Sequence, residues 1–585
     1  MKWDLTKIYQ QGLDDSQFLS DLRAIIPEAE AIRTLIAGDS DALPMLREVI
    51  ARLQALLTQA EKAGSLIFLT LATDAENEQA LSLYDSLMEA QVELKRVSSA
   101  LSKRLAEIDS LEELIASDPL LHEHAFMLRT HKKEAAHTID PILEPHVLKM
   151  QMTGGQAFSQ LRDMLDATLI IDLNTGGETE QLPLSAVRGK AYDADPAIRK
   201  AAYEAEIAAY SKIELPMAAC LNSIKGEART IAALKSYDSV LDWMLADSRT
   251  DRATLDALMT AMRESLPHFR RYFRAKAKAL GHPGGLPFYD LFAPMGASAR
   301  TYTLEEAKVL LIETLGEFSA PMADLAARTF DERWLDAFPY QGKQGGAFCA
   351  TVHPIGGSYI LDNFDGSLSS VMTQAHELGH AYHGHCLKSN SILNADYPMP
   401  LAETASIFNE TLMTQKLLAR ANREERIMLL EQGLADAAQV IVDILSRYLF
   451  ETAVLDARAE RTLNARELKE IMLSAQRETY GDGLDESLMH PYMWACKSHY
   501  YSVEEHFYNF PYAFGLLFGK GVYAKYREMG DAFVPLYDEL LRATAIGEIA
   551  EVGASVGIDV RSVDFWRTSV NELVGAIDQF VEAVS

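Results

Sequence analysis

Cysteine is scarce in this chain: Cys220, Cys349, Cys386 and Cys496 are the only four in 585 residues, and they are widely spaced. That argues against a disulfide framework and fits a reducing compartment. Long apolar runs are missing as well. No stretch of eighteen apolar residues occurs, and Met1 to Gln10 is too polar for a signal peptide, so a cytoplasmic protein with no membrane partner is expected. Positive charge is in deficit, with 55 Lys and Arg against 84 Asp and Glu and a formal net charge of −29. Nucleic-acid binding needs a basic footprint, so this balance points instead to a solvated acidic surface. Neither internal repeats nor low-complexity linkers are visible, which argues against domains moving freely on a tether. What is present is 48% hydrophobic content, enough for a substantial core in a chain longer than one compact domain, and two or three closely packed parts are expected.

The most informative residues are His376-Glu377-Leu378-Gly379-His380, inside a proline-free stretch of helical spacing from Val371 to Leu387. Four residues advance about 400° along a helix. His376 and His380 therefore project from one face, one turn apart, as two ligands of a single Zn²⁺ must. Glu377 points close to the same place and suits a general base acting on a zinc-activated water. Catalytic zinc usually has a third protein ligand. His383 shares the face but lies about 10 Å beyond His376 along the axis, too far for one ion, and it reads as a histidine that packs or that supports a ligand from behind. Glu403 follows Pro400, which suits the first turn of a new helix, and helical spacing continues from Leu401 to Ala419. A crossing helix could bring Glu403 to the metal; spacing alone leaves equally open a carboxylate that only complements the helix dipole. Glu410, on the same face, could orient a ligand imidazole. Cys386 lies off the metal-facing stripe and is expected to be a buried free thiol.

The string HELGHAYHGH followed by PLAETASIFNE resembles the M3 family of zinc oligopeptidases, specifically its oligoendopeptidase F and Pz-peptidase branch. The likeness extends upstream through GGAFCATVHPIGGSYILDNFDGSLSSVMTQAHELGH, downstream through SHYYSVEEHFYNFPYAFGLLFG, and to the amino terminus MKWDLTKIYQ. The resemblance implies one Zn²⁺ per chain, held by His376, His380 and Glu403. It also implies a mainly α, two-part, neurolysin-like architecture with a deep central channel that admits short unfolded peptides and excludes folded proteins.

Along the chain, helical patterns fill the first part to about residue 165. Thr168 to Leu173 and Glu180 to Leu184 read as a small hairpin around Asn174, Gly176 and Gly177. Helical patterns resume at Pro196, with loop chemistry at Gly281 to Pro287 and Pro294 to Ser298. This suggests an N-terminal helical domain over 1–190 and a catalytic domain over 191–585. A second hairpin is expected just before the zinc helix, from Ala347 to Val352 and Ser358 to Asn363 around a turn at His353 to Gly357. An exposed strand edge there could pair with a peptide backbone, and Gly345, Gly346 and Ala347 are small enough for such an approach. An ordinary covered hairpin would have the same pattern.

The segment His499-Tyr500-Tyr501, then His506 to Tyr512, is dense in imidazoles and phenols, which can donate to a developing oxyanion. Tyrosine also packs commonly with its hydroxyl paired. The family resemblance assigns substrate contact and oxyanion stabilisation to a histidine and spaced tyrosines here, matching His499, Tyr508 and Tyr512. His506 competes with His499 for the histidine role, and the chain departs from the thimet-oligopeptidase pattern at a third tyrosine near Gly515 or Leu516. The expected activity is internal cleavage of short peptides, with Glu377 as base. Two other classes share parts of this pattern: a zinc carboxypeptidase or dipeptidase, which needs a cationic clamp that the sequence does not locate, and a non-enzymatic peptide-binding protein, against which the intact Glu377 argues.

Overall fold

The computed structural model describes every residue except Pro141, Glu178 and Ala299. Among the described residues the fold is mainly helical, with two small sheets. One sheet is the antiparallel pair β1 (Ile170–Asn174) and β2 (Thr179–Pro183); the other has three strands, β3 (Leu335–Asp336), β4 (Phe348–Val352) and β5 (Gly357–Leu361), in the order β3-β5-β4. Helix starts are written locally. Asp15, Asn77, Asp195 and Asp251 each accept a first-turn N–H, and Thr303/Glu306, Asn422/Glu425 and Asn464/Glu467 form reciprocal capping boxes. Each cap side chain stabilises its helix by about 1 kcal/mol.

Contacts divide the chain into two compact units, each assembled from three separated segments. The first comprises Met1–Thr138, Arg300–Lys416 and Lys525–Ile558. Its long helices Ser16–Ile36, α1 (Ala42–Thr73) and Glu78–Ala106 bury stripes such as Phe18, Ile25 and Ile32, or Leu46, Val49 and Leu53. The three-stranded sheet and the helices α2 (Leu368–Leu387) and α3 (Thr404–Leu418) belong to this unit. In the sheet, Cys349 pairs with Ile360 and Thr351 with Ser358. The connection is a 3₁₀ turn over His353–Ile355 that closes at Gly356, whose φ of 58° disfavours any residue with a Cβ. The strands are shorter than the sequence pattern suggests, and the parallel β3, only two residues long, left no pattern to read.

The second unit comprises Ile139–Ala299, Leu417–Ala524 and Asp559–Ser585. Its core gathers Tyr210, Leu221, Phe450, Leu468, Trp494 and Tyr500. Residue 190 falls inside the first segment of this unit. A π-helical turn, Gln439–Asp443, interrupts the helical run from Arg423 to Arg458.

Candidate active site

Helix α2 starts at Ser367, whose Oγ accepts the Ser370 N–H at 3.1 Å. Asp365 steadies that cap by accepting from the Ser367 N–H at 2.8 Å and the Ser370 hydroxyl at 2.7 Å. Most of α2 is buried, and two glycines let neighbours come close. A Cβ on Gly384 would collide with Thr351 Oγ1 of β4, and one on Gly379 would meet the Ala405 carbonyl oxygen of α3 at 2.5 Å. Contact at Gly379 brings the α3 backbone against α2 where the histidines project.

Glu403 does not lie within a continuous helix. A short helix, Met399–Ala402, ends at Glu403 (φ −84°, ψ 3°) before α3 begins at Thr404, and this break presents the carboxylate to the two histidines. Glu403 Oε2 lies 3.3 Å from His376 Nε2 and 3.5 Å from His380 Nε2, while the two ring nitrogens are 3.1 Å apart. Donors about 2.0 to 2.1 Å from a tetrahedral Zn²⁺ are separated by roughly 3.3 Å, so these three fit one zinc ion. Among the described residues, they form the one group of His, Cys, Asp and Glu side chains arranged to hold a metal. His376 Nδ1–H donates to Glu410 Oε1 at 2.6 Å, leaving Nε2 as the lone-pair nitrogen that a metal requires. Glu403 is held in turn by the Ser406 hydroxyl at 2.7 Å.

Electrostatics fit the same arrangement. Burial disfavours a charged His376, yet Glu403 and Glu410 outweigh it and raise its pKa to about 10. Burial also opposes ionisation of Glu403, but His376, His380 and Ser406 draw its pKa down to about 2. The cluster thus attracts positive charge. Glu377 is buried, and burial raises its pKa to about 7, with Glu403, Asp362 and Glu410 adding to the rise and His376 opposing it. Its Oε2 has no hydrogen-bond partner among the described residues. A cavity of about 630 Å³ within the first unit is lined by His376, Glu377, His380 and Glu403, by Phe348 of the edge strand β4, and by Glu61 of α1.

His383 stands outside the metal group, as its axial distance requires. It is fully buried, 2.8 Å from Thr544 Oγ1, with its ring stacked 4.1 Å from that of Tyr397. Cys386 is a free thiol but only half-buried, less enclosed than its helix position suggests.

In the second unit, His499, Tyr508 and Tyr512 gather around one another. The His499 ring stacks on Tyr508 at 5.4 Å, and Tyr512 meets Tyr508 edge-on at 5.6 Å. All three are half-buried. Burial, then Arg447 and Lys497, lower the His499 pKa to about 4, so its ring is neutral near neutrality. His506 is turned away from this group: it is 1% exposed, and its Nδ1 sits 3.2 Å from the buried Lys225 Nζ. Between them, Phe507 adopts a left-handed φ of 50°, which turns the chain from the buried His506 to Tyr508. The sequence reading missed Gly379 as the contact point of α2 and α3; its position inside the motif was the available signal.

A helical fold carrying a His, His, Glu cluster with a buried, unpartnered glutamate beside it defines a metallopeptidase. The sequence profile described as Peptidase family M3 matches residues 190–572. The chain is 26% identical over 595 aligned residues to an oligoendopeptidase F homolog of Lactococcus lactis, covering 97% of this chain and 94% of that one. Its fold is similar to that of a Chlamydophila abortus protein of known structure, with a TM-score of 0.87 and 22% identity over 100% of this chain and 98% of the other. It is also similar to oligoendopeptidase-F from Enterococcus faecium, with a TM-score of 0.71 and 18% identity over 97% and 98% of the two chains. The chain belongs to peptidase family M3, in its oligoendopeptidase F branch, and is a zinc-dependent endopeptidase of that family acting on peptides.

Proposed function

We propose that one Zn²⁺ per chain is held by His376, His380 and Glu403, and that the enzyme cleaves internal bonds of short, unfolded peptides in the cytoplasm. The observation that carries the assignment is the mutual spacing of the three donor atoms, 3.1 to 3.5 Å, which suits tetrahedral zinc. When bound, zinc supplies a Lewis acid that polarises the scissile carbonyl and lowers the pKa of water. Glu377, with its unpartnered buried oxygen, takes the proton of the attacking water and delivers it to the leaving amine nitrogen. Glu410 holds the His376 ring in the required tautomer. His499, Tyr508 and Tyr512 donate to the oxyanion as the carbonyl becomes tetrahedral, each such donor lowering the barrier by about 2.7 to 4 kcal/mol. The division into an N-terminal helical part over 1–190 and a catalytic part over 191–585, with a channel that excludes folded proteins, belongs to the same proposal and rests on the family. The free cysteines fit a reducing compartment.

The test uses an internally quenched peptide blocked at both ends, so that only internal cleavage gives a signal. Glu377→Gln keeps the side-chain volume and leaves the three donors in place. Zinc content is expected to match the parent while hydrolysis falls by at least about two orders of magnitude. Near-normal turnover in a preparation free of other proteases would remove Glu377 from the mechanism.

A further inference from the structure

A second cavity, of about 280 Å³, lies wholly within the second unit and is lined by aromatic rings, including Phe288, Phe292 and Tyr192, and by Arg188, Gln439 and Lys497. Lys497 is half-buried, and its ammonium has no hydrogen-bond or ion-pair partner among the described residues. Burial lowers its pKa from the usual lysine value, with Asp443 opposing. A desolvated cation without a partner is costly, and an anion beside it removes much of that cost.

The surrounding carboxylates are already matched. Asp443 accepts from Arg447 Nε at 2.9 Å, and Asp290 from Arg199 Nε at 2.7 Å. Glu206 lies between Arg188, at 3.6 Å, and His490, at 3.4 Å. Lys497 therefore only shares Asp443 with Arg447 and leaves part of one positive charge unmatched, which suits a monoanion better than a phosphate. Gln439 adds a second unpartnered polar group: among the described residues its side-chain amide has no partner, and it begins the π-helical turn Gln439–Asp443. Such turns interrupt regular helix bonding and recur at functional sites.

We propose that this cavity binds the carboxylate of a small aromatic or apolar residue, such as the C-terminal residue of a short peptide. Lys497 and Gln439 donate to the carboxylate in charge-assisted and neutral hydrogen bonds, and Phe288 and Phe292 cover the side chain. The volume is just below the range of about 300 to 1,000 Å³ typical for drug-sized ligands, which limits the occupant to one or two residues. Only the identity of the ligand rests on the peptidase reading, because binding itself does not require hydrolysis.

The probe is N-acetylphenylalanine, titrated calorimetrically into the zinc-loaded enzyme alongside N-acetylphenylalanine amide. The acid is expected to bind at least tenfold more tightly than the amide. Lys497→Met should abolish that preference, and Lys497→Arg should restore part of it. Retention of the full preference by a folded Lys497→Met, which includes the case of a carboxylate bound to the zinc, would overturn the proposal. So would equal binding of acid and amide by the parent. If Lys497→Met does not fold, Gln439→Met decides: about threefold or greater weakening of the acid supports the site, and no change refutes it. Cleavage of the blocked quenched peptide is measured on the same parent sample, so a failed peptidase reading appears as absent hydrolysis whatever the titration gives.

Discussion

Gly379→Ala is the most searching test of how the metal cluster is assembled. The new methyl would lie 2.5 Å from the Ala405 carbonyl oxygen and 2.5 Å from the Ser406 Cα, both backbone atoms of α3. An ordinary C···O contact is about 3.3 Å or longer, so α2 and α3 must separate locally by roughly 0.8 Å. Neither neighbour is the flexible end of a side chain that could swing aside. The two histidines ride on α2, and Glu403 sits immediately before α3, so the separation acts directly on the 3.3 and 3.5 Å spacings between them. Zinc sites tolerate deviations of about 0.2 Å in ligand distance, well below that displacement. The methyl is also an overpacking change, costing about 1 to 3 kcal/mol of stability. Zinc per chain would be measured by atomic emission after dialysis against graded chelator, with thermal unfolding of the metal-free protein recorded in parallel. Zinc should be lost at chelator concentrations at least tenfold below those that strip the parent, together with a lower melting temperature. Parental zinc retention and an unchanged melting temperature in Gly379→Ala would show that the α2–α3 contact does not set the cluster.

Glu403→Ala should lose zinc at chelator levels that leave Glu410→Ala loaded, because a ligand supplies a metal bond whereas its outer partner usually changes affinity only 10- to 100-fold; equal retention by Glu403→Ala and the parent would move the third ligand elsewhere. Tyr508→Phe and Tyr512→Phe each remove one hydroxyl. If these phenols serve the oxyanion, turnover number falls about a hundredfold or more while zinc content and melting temperature hold; a loss of roughly 1 kcal/mol in stability with unchanged turnover would mark them as ordinary packed tyrosines.

Much of the site was legible because it is local. The four-residue spacing of His376 and His380, with Glu377 between them, is fixed by helix periodicity, and α2 forms on its own capping signal at Ser367. His383 could be set aside by the same arithmetic, and it is indeed buried elsewhere, against Thr544 and Tyr397. Low cysteine and excess acidic charge are properties of composition and needed no coordinates.

Other features came only from tertiary contact, where residues far apart in sequence are brought together by packing. Spacing could not decide whether Glu403 merely caps a helix; its carboxylate faces the two imidazoles because the chain breaks at Glu403 and α3 lies against Gly379. Nor could spacing rank His506 against His499, since the buried Lys225 that holds His506 comes from a segment 281 residues away. The two-residue β3 is a strand only because β5 offers it hydrogen bonds. Likewise, Gln439 and Lys497 reach one cavity only through the packing of the second unit. A helix or cap is decided within a few residues by backbone hydrogen bonds and side-chain stripes. The partner that each stripe buries against, and hence which polar groups meet, is decided by the closure of the whole chain.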